Sequence, residues 1–191
     1  VATPDGYNQI VNVASGKVLD VTGHSSSDGA LIQQWDYLGA DNQKWQFQTV
    51  QLFKIRNLGT GKVLDAPLYS PNPGTAIQQW DDTGSANQQW LLIPVDNTYY
   101  RIVNNFTGLV LDVTGASNAN GTLIQEYTYL GYGNQLWTFT PTSSGSYTIL
   151  GRQSGRVLDV IQASTADGTQ IQQFDFVGGA NQQWQLIPVT Q

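Results

Sequence analysis

The sequence contains no cysteine. It therefore forms no disulfide and no thiolate metal site, and the fold must hold by packing and backbone pairing alone. Charge is scarce: 12% of the 191 residues are ionic, with 8 cations against 14 anions and a net charge of −6. The cations are scattered rather than run together, which argues against nucleic acid and anionic membranes as partners. No apolar run approaches the ~18 residues of a membrane-spanning helix. The single histidine, His24, reads as a solvated loop residue. There is no histidine cluster and no aspartate-rich loop of calcium-binding type, so neither metal nor cofactor is expected. No signal-peptide pattern is visible, and a start at Val1 rather than Met is what a removed leader or an excised segment would leave. What the chain does have is 40% apolar residues, enough for a core. A single domain of this size buries roughly 70% of the surface of its unfolded chain.

Four tetrapeptides organise the rest: NQKW, NQQW, NQLW and NQQW, beginning at Asn42, Asn87, Asn134 and Asn181. Their tryptophans, Trp45, Trp90, Trp137 and Trp184, are 45, 47 and 47 residues apart. Val-Leu-Asp ends at Asp20, Asp65, Asp112 and Asp159 with the same separations, so each aspartate precedes its tryptophan by 25 residues. Glycines 29, 74, 121 and 168 keep this register, as do isoleucines 10, 55, 102 and 149, leucines 19, 64, 111 and 158, and isoleucines 32, 77, 124 and 171. Four repeats follow, at approximately 5–50, 51–96, 97–142 and 143–191.

Each repeat reads as short strands. In the first, YNQIVNV, KVLDV, ALIQQWD and KWQFQTV are separated by Ser-Gly, Asp-Gly and Gly-Ala-Asp turns. Glycine supplies the positive φ that a tight return between strands needs. No stretch sustains a 3.6-residue period, so the chain is all-β. A lone unit of this size cannot bury its own apolar face, and the units must share a core. Trp45 and Phe47 are two apart and face one side of a strand. Leu92, Phe139 and Leu186 repeat the Phe47 position. These tryptophans are read as a packing ring rather than as a binding surface.

Repeated Leu-Asp-Val, Gly-x-x-Ile-Gln-x-aromatic and Asn-Gln-x-Trp at fixed spacing resemble the ricin B-type lectins over the whole chain. The family's usual paired cysteines are absent; Val18, Val63, Val110 and Val157 stand where many members place one. The resemblance implies a β-trefoil of three repeats, a six-strand barrel capped by three hairpins. Four repeats fit as a trefoil plus a spare repeat, as an exchange in which three chains of four repeats make four trefoils, or as a closed ring of four. The joints from each tryptophan to the next aspartate are 20, 22 and 22 residues, nearly equal, and no repeat has lost its core residues. The expectation is one closed, pseudo-fourfold, monomeric domain over 1–191. The interchain-swapped trefoil is the alternative, and the spare repeat ranks last.

The resemblance also implies a sugar site in each repeat, formed by an aspartate, a glutamine, a stacking aromatic and an asparagine. The matching sets are Asp20, Gln33, Trp35 and Asn42; Asp65, Gln78, Trp80 and Asn87; Asp112, Gln125, Tyr127 and Asn134; and Asp159, Gln172, Phe174 and Asn181. The chemistry of a pyranose explains the types independently. A carboxylate accepts from neighbouring hydroxyls in charge-assisted bonds, an amide both donates and accepts, and a ring gives a flat apolar wall. Taken singly, the asparagines fit a structural role better, and the aspartates fit either. The column that stays aromatic favours stacking. Gln34, Gln79, Glu126 and Gln173 fall on the opposite side and are expected to bond loop backbone. The proline-rich APLYSPNPG makes the Asp65 site the doubtful one. The expected function is a secreted or cell-surface lectin for galactose-type glycans or polysaccharide, not an enzyme. A structural or protein-binding scaffold is the alternative, as is a binding module excised from a glycoside hydrolase.

Overall fold

The four Val-Leu-Asp segments all become strands, and each pairs antiparallel with the Gln-x-aromatic segment of its own repeat. The return between them passes through Gly29, Gly74, Gly121 or Gly168, at φ of 79°, 95°, 81° and 77°. A side chain at those positions would strain the turn. The computed structural model describes residues 1–47, 50–67 and 71–190. Among these residues are fourteen strands and single 3-10 turns, with no α-helix. The chain forms two compact units, Val1–Thr49 and Val50–Gln191.

The first unit carries β1 (Val18–Val21) and β2 (Ile32–Trp35). Isolated bridges add Ala2 to Asn8, Asn8 to Trp45 and Val11 to Val18. The second unit carries the other twelve strands. The second repeat supplies β3 (Leu52–Asn57), β4 (Val63–Asp65), β5 (Gln78–Trp80) and β6 (Trp90–Pro94). The third supplies β7 (Tyr100–Asn104), β8 (Val110–Val113), β9 (Thr122–Tyr127) and β10 (Trp137–Pro141). The fourth supplies β11 (Tyr147–Gly151), β12 (Val157–Val160), β13 (Ile171–Phe174) and β14 (Trp184–Pro188).

The first and last strands of these three repeats close a six-strand ring. β3 pairs with β6, β6 with β7, β7 with β10, β10 with β11, β11 with β14, and β14 with β3. Three hairpins, β4–β5, β8–β9 and β12–β13, complete a β-trefoil. The hairpins are tied in a circle of backbone bonds: Gly74 N–H to Glu126 O at 2.7 Å, Gly121 to Gln173 at 2.9 Å, and Gly168 to Gln79 at 3.0 Å. Isoleucines 55, 77, 102, 124, 149 and 171, leucines 64, 111 and 158, and tryptophans 90, 137 and 184 have no exposed surface. Leu92, Phe139 and Leu186 pack against them. Each indole Nε1–H donates to the leucine carbonyl of its own Val-Leu-Asp strand, for example Trp90 to Leu64 O at 3.1 Å. The packing-ring reading of these residues therefore holds in the second unit.

The all-β, trefoil reading is what the chain adopts, but the ring closes through three repeats, not four. β14 meets β3 over five positions, from Trp184 opposite Asn57 to Pro188 opposite Phe53. The offset repeats the β6–β7 hairpin, where Trp90 lies opposite Asn104. β14 thus occupies the edge of β3 that the last strand of the first repeat would need in a fourfold ring. Barrel width grows with strand number, and three sets of Ile, Leu, Ile and Trp already fill the six-strand interior. In the first unit the same columns are not enclosed. Ile10, Ile32 and Phe47 are exposed, and Trp45 is only half-buried.

Candidate functional site

In every repeat the aspartate, glutamine and asparagine picked out by pattern come together. The Val-Leu-Asp strand places the carboxylate beneath the partner strand, whose glutamine is directly across the ladder: Asp65 lies opposite Gln78, and the other three pairs match. Gln33, Gln78, Gln125 and Gln172 donate Nε2 to Oδ1 of Asp20, Asp65, Asp112 and Asp159 at 2.8, 2.9, 2.8 and 2.7 Å. Asn42, Asn87, Asn134 and Asn181 donate Nδ2 to the other oxygen at 3.0, 2.9, 2.7 and 2.9 Å. The same amides reach the carbonyl after the aspartate, as Asn87 does at Ala66 O. The four aspartates are buried.

Gln and Asn thus fix both carboxylate oxygens. Each oxygen has two lone pairs, so Oδ1 keeps acceptor capacity for a ligand hydroxyl. Asn42, Asn87 and Asn134 each retain a buried Oδ1 with no donor. Unmet acceptors of this kind are uncommon in folded proteins. Beside each set stands its aromatic. Trp35, Trp80 and Tyr127 are exposed, and Phe174 is half-buried.

The surroundings tune the carboxylates differently. The Gln33 hydrogen bond holds Asp20 below the ordinary carboxylate range, with Gln43 and Asn42 adding to it against the cost of burial. At Asp112 and Asp159 burial dominates and pushes the carboxyl up, against the amide bonds.

The glutamine of Asn-Gln-x-Trp was given no role by pattern, and the structure shows one. Gln88 donates Nε2 to Asp65 Oδ2 at 3.0 Å and to Asp81 O at 2.9 Å, and accepts from Thr83 N at 2.8 Å. It therefore clamps the loop after the aromatic onto the carboxylate. Gln43 does the same in the first repeat, with Leu38 N as its donor. The signal was available in the sequence: this glutamine never varies across four copies. Flanking walls were also missed. Tyr132 and Leu130 line a cavity of about 240 Å³ with Asp112, Gln125, Tyr127 and Asn134. Thr83, Ser85 and Pro67 line one of about 620 Å³ with Asp65, Gln78, Trp80 and Asn87. The Asp65 set, doubted for its proline-rich loop, thus has the roomier cavity of the two; residues 68–70 of that loop lie outside the described residues.

In the opposite-side column Gln79 and Gln173 bond loop backbone as expected, whereas Gln34 and Glu126 instead accept from the Ser15 and Thr107 hydroxyls. Gln79 Nε2 donates to Ser164 O and Ala166 O, and Gln173 Nε2 to Ser117 O and Ala119 O. Among the described residues, no group of three or more His, Cys, Asp or Glu side chains is arranged to hold a metal ion. Among the described residues, no helix is long and apolar enough to cross a membrane.

Comparison with known proteins agrees with this architecture. Residues 1–52, 41–127 and 133–191 match the family described as "Ricin-type beta-trefoil lectin domain-like". The designed threefold-symmetric protein ThreeFoil is 37% identical with a TM-score of 0.71, covering 72% of this chain and 99% of its own. An exo-β-1,3-galactanase from Clostridium thermocellum is 34% identical with a TM-score of 0.72, over 91% of this chain and 38% of the enzyme. The clotting factor G alpha subunit of Tachypleus tridentatus is 45% identical over 47 residues, 25% of this chain. The chain spans 7% of the length of that curated relative.

Proposed function

Because this chain belongs to the ricin-type β-trefoil lectin domain-like family, we propose that it is a non-catalytic carbohydrate-binding module for galactose-type sugars, with one site per repeat. The observation that carries this reading is the fourfold recurrence of an amide-clamped aspartate beside an aromatic side chain. The carboxylate accepts from a ring hydroxyl at Oδ1, and the aromatic covers the apolar C–H face. Galactose suits such a site because its axial hydroxyl leaves one face broadly apolar. The similarity to an enzyme of galactan breakdown supports the same sugar class. Sites one repeat apart hold single carboxylates, whereas glycoside hydrolysis uses a pair about 5–10 Å apart across one bond. A sugar-binding module of this kind acts outside the cell or at its surface, on free glycans or as part of a larger carbohydrate-active protein.

Titration calorimetry with galactose and lactose, with mannose as the unrelated sugar, tests the proposal. Open single sites should bind near the millimolar range, about −4 kcal/mol. Heats for galactose and lactose no larger than for mannose would sink the galactose assignment. No binding to any glycan on an array would favour the scaffold reading.

A further inference from the structure

The first unit is one third of a trefoil with its barrel face uncovered. It keeps the Ile, Leu, Ile and Trp core identities of the other repeats, yet Ile32 is 52% exposed where Ile77 and Ile124 are fully buried, and Phe47 is 66% exposed where Leu92, Phe139 and Leu186 are partly buried. A groove of about 410 Å³ runs along this face, lined by Ile10, Leu19 and Ile32 among others. The second unit shows what such a face packs against: two further copies of itself. It also shows the polar contacts that join neighbouring repeats. The amide of Asn104 donates to Asn87 O at 2.9 Å, that of Asn57 donates to Asn181 O at 2.9 Å, and the Gly74, Gly121 and Gly168 N–H groups circle the hairpins.

The first unit has the donors for these contacts, with no acceptor engaged by them among the described residues. Asn12 Oδ1 braces its own turn through Ala14 N and Ser15 N, as Asn104 Oδ1 does through Phe106 N and Thr107 N. Among the described residues, Asn12 Nδ2 and Gly29 N–H donate to nothing. The ring of the second unit cannot take this repeat in, because β14 already pairs with β3.

We propose that three copies of this chain associate through their first units, which together form a further trefoil. Each chain contributes one third, so closure sets the number at three. Ile10, Leu19, Ile32 and Trp45 of each copy fill a shared core. By the template of the second unit, Asn12 donates to Asn42 O of a neighbouring copy and Gly29 N–H to Gln34 O of a neighbouring copy. A closed heterologous ring of this kind leaves no further apolar face for growth. The proposal is independent of which sugar is bound.

Sedimentation velocity on the full chain, over a dilution series, tests the stoichiometry. The expected species has the mass of three 20.9 kDa chains and dissociates on dilution. Hydrogen exchange tests the interface. The Gly29 amide should be protected in the associated protein and exchange freely in dilute solution. Phe47→Asp changes a side chain that the single copy leaves exposed, and should abolish the association; Trp35→Ala, on the sugar side, should not. A monomer at every concentration, a dimer, a trimer with a freely exchanging Gly29, or a trimer untouched by Phe47→Asp overturns the proposal.

Discussion

Thr107 donates its hydroxyl to Glu126 Oε1 at 2.8 Å, and Glu126 Oε2, fully buried, has no partner. Thr60 and Ser154 make the same bond to the amide oxygens of Gln79 and Gln173, whose other end donates to two loop carbonyls. A carboxylate has nothing to donate there, and burial pushes the Glu126 carboxyl up to about 7. Its folded value lies above its unfolded one, so the folded state binds the extra proton. The resulting stability is complete below about pH 4.5 and is lost as pH rises through about 7. Urea midpoints should therefore fall between pH 5.5 and pH 8. Glu126→Gln should remove most of that slope and stabilise the protein at pH 8, by on the order of 3 kcal/mol at most. An unchanged slope in the variant would assign it to other groups, such as Asp112 and Asp159, which burial also raises.

Tryptophans of one sequence column should differ by unit. Trp90→Ala empties a fully enclosed site and frees Leu64 O, and should cost ~3–5 kcal/mol. Trp45, half-buried in the first unit, should cost clearly less in dilute protein. Trp35→Ala, at a half-exposed ring, should leave the melting temperature nearly unchanged. Thermal melts of the three variants check this; equal losses would mean that core and surface rings have been confused.

Removing the amide that bridges repeats should hurt only where the bridge exists. Asn104 is 1% exposed, and its Nδ2 donates to Asn87 O while Oδ1 accepts from Phe106 N and Thr107 N. Asn104→Ala strands buried partners, at ~1–3 kcal/mol for each group left unmet. Asn12→Ala removes only an exposed turn brace and should cost well under half as much in dilute protein. Chemical denaturation of both variants is the check.

For the proposed sugar sites, Trp80→Ala should leave folding intact, since the ring is 39% exposed, and should weaken galactose binding at that site at least tenfold. That factor corresponds to about 1.4 kcal/mol. In calorimetry the fitted number of sites should drop by one. An unchanged isotherm would remove the second repeat from the list of working sites.

Much of this molecule was legible as pattern. Val-Leu-Asp predicted a strand and became one four times over, and Gly74, Gly121 and Gly168 sit at the left-handed returns that their spacing required. That Asp, Gln and Asn of each repeat form one set followed from the family resemblance, whereas the bonds from both amides to the carboxylate are seen only in the folded chain. The number of repeats in the ring was not legible. Trp45 and Trp184 both end their repeats in the same motif, and local identity does not say which of two equivalent strands takes the edge of β3. That choice is a competition between long-range pairings, settled by β14. The clamp by Gln43 and Gln88 was visible as invariance but not as mechanism, because its partners are backbone groups that carry no sequence signal.

The closure of β14 onto β3 also imposes an order on biosynthesis. Asn57 bonds to a carbonyl 124 residues further along the chain, so the ring has no final seam until the end of the fourth repeat has left the ribosome. Contacts this distant form slowly, because loop-closure entropy is spent before they are made. Until then the edge of β3 is open, and the Trp45 segment of the first repeat has already emerged before it in sequence. A nascent chain stalled after the third repeat would hold three complete repeats of a different frame, 1–3 rather than 2–4. Arrival of the fourth repeat is what gives β3 and Asn57 the partners they hold in the folded ring.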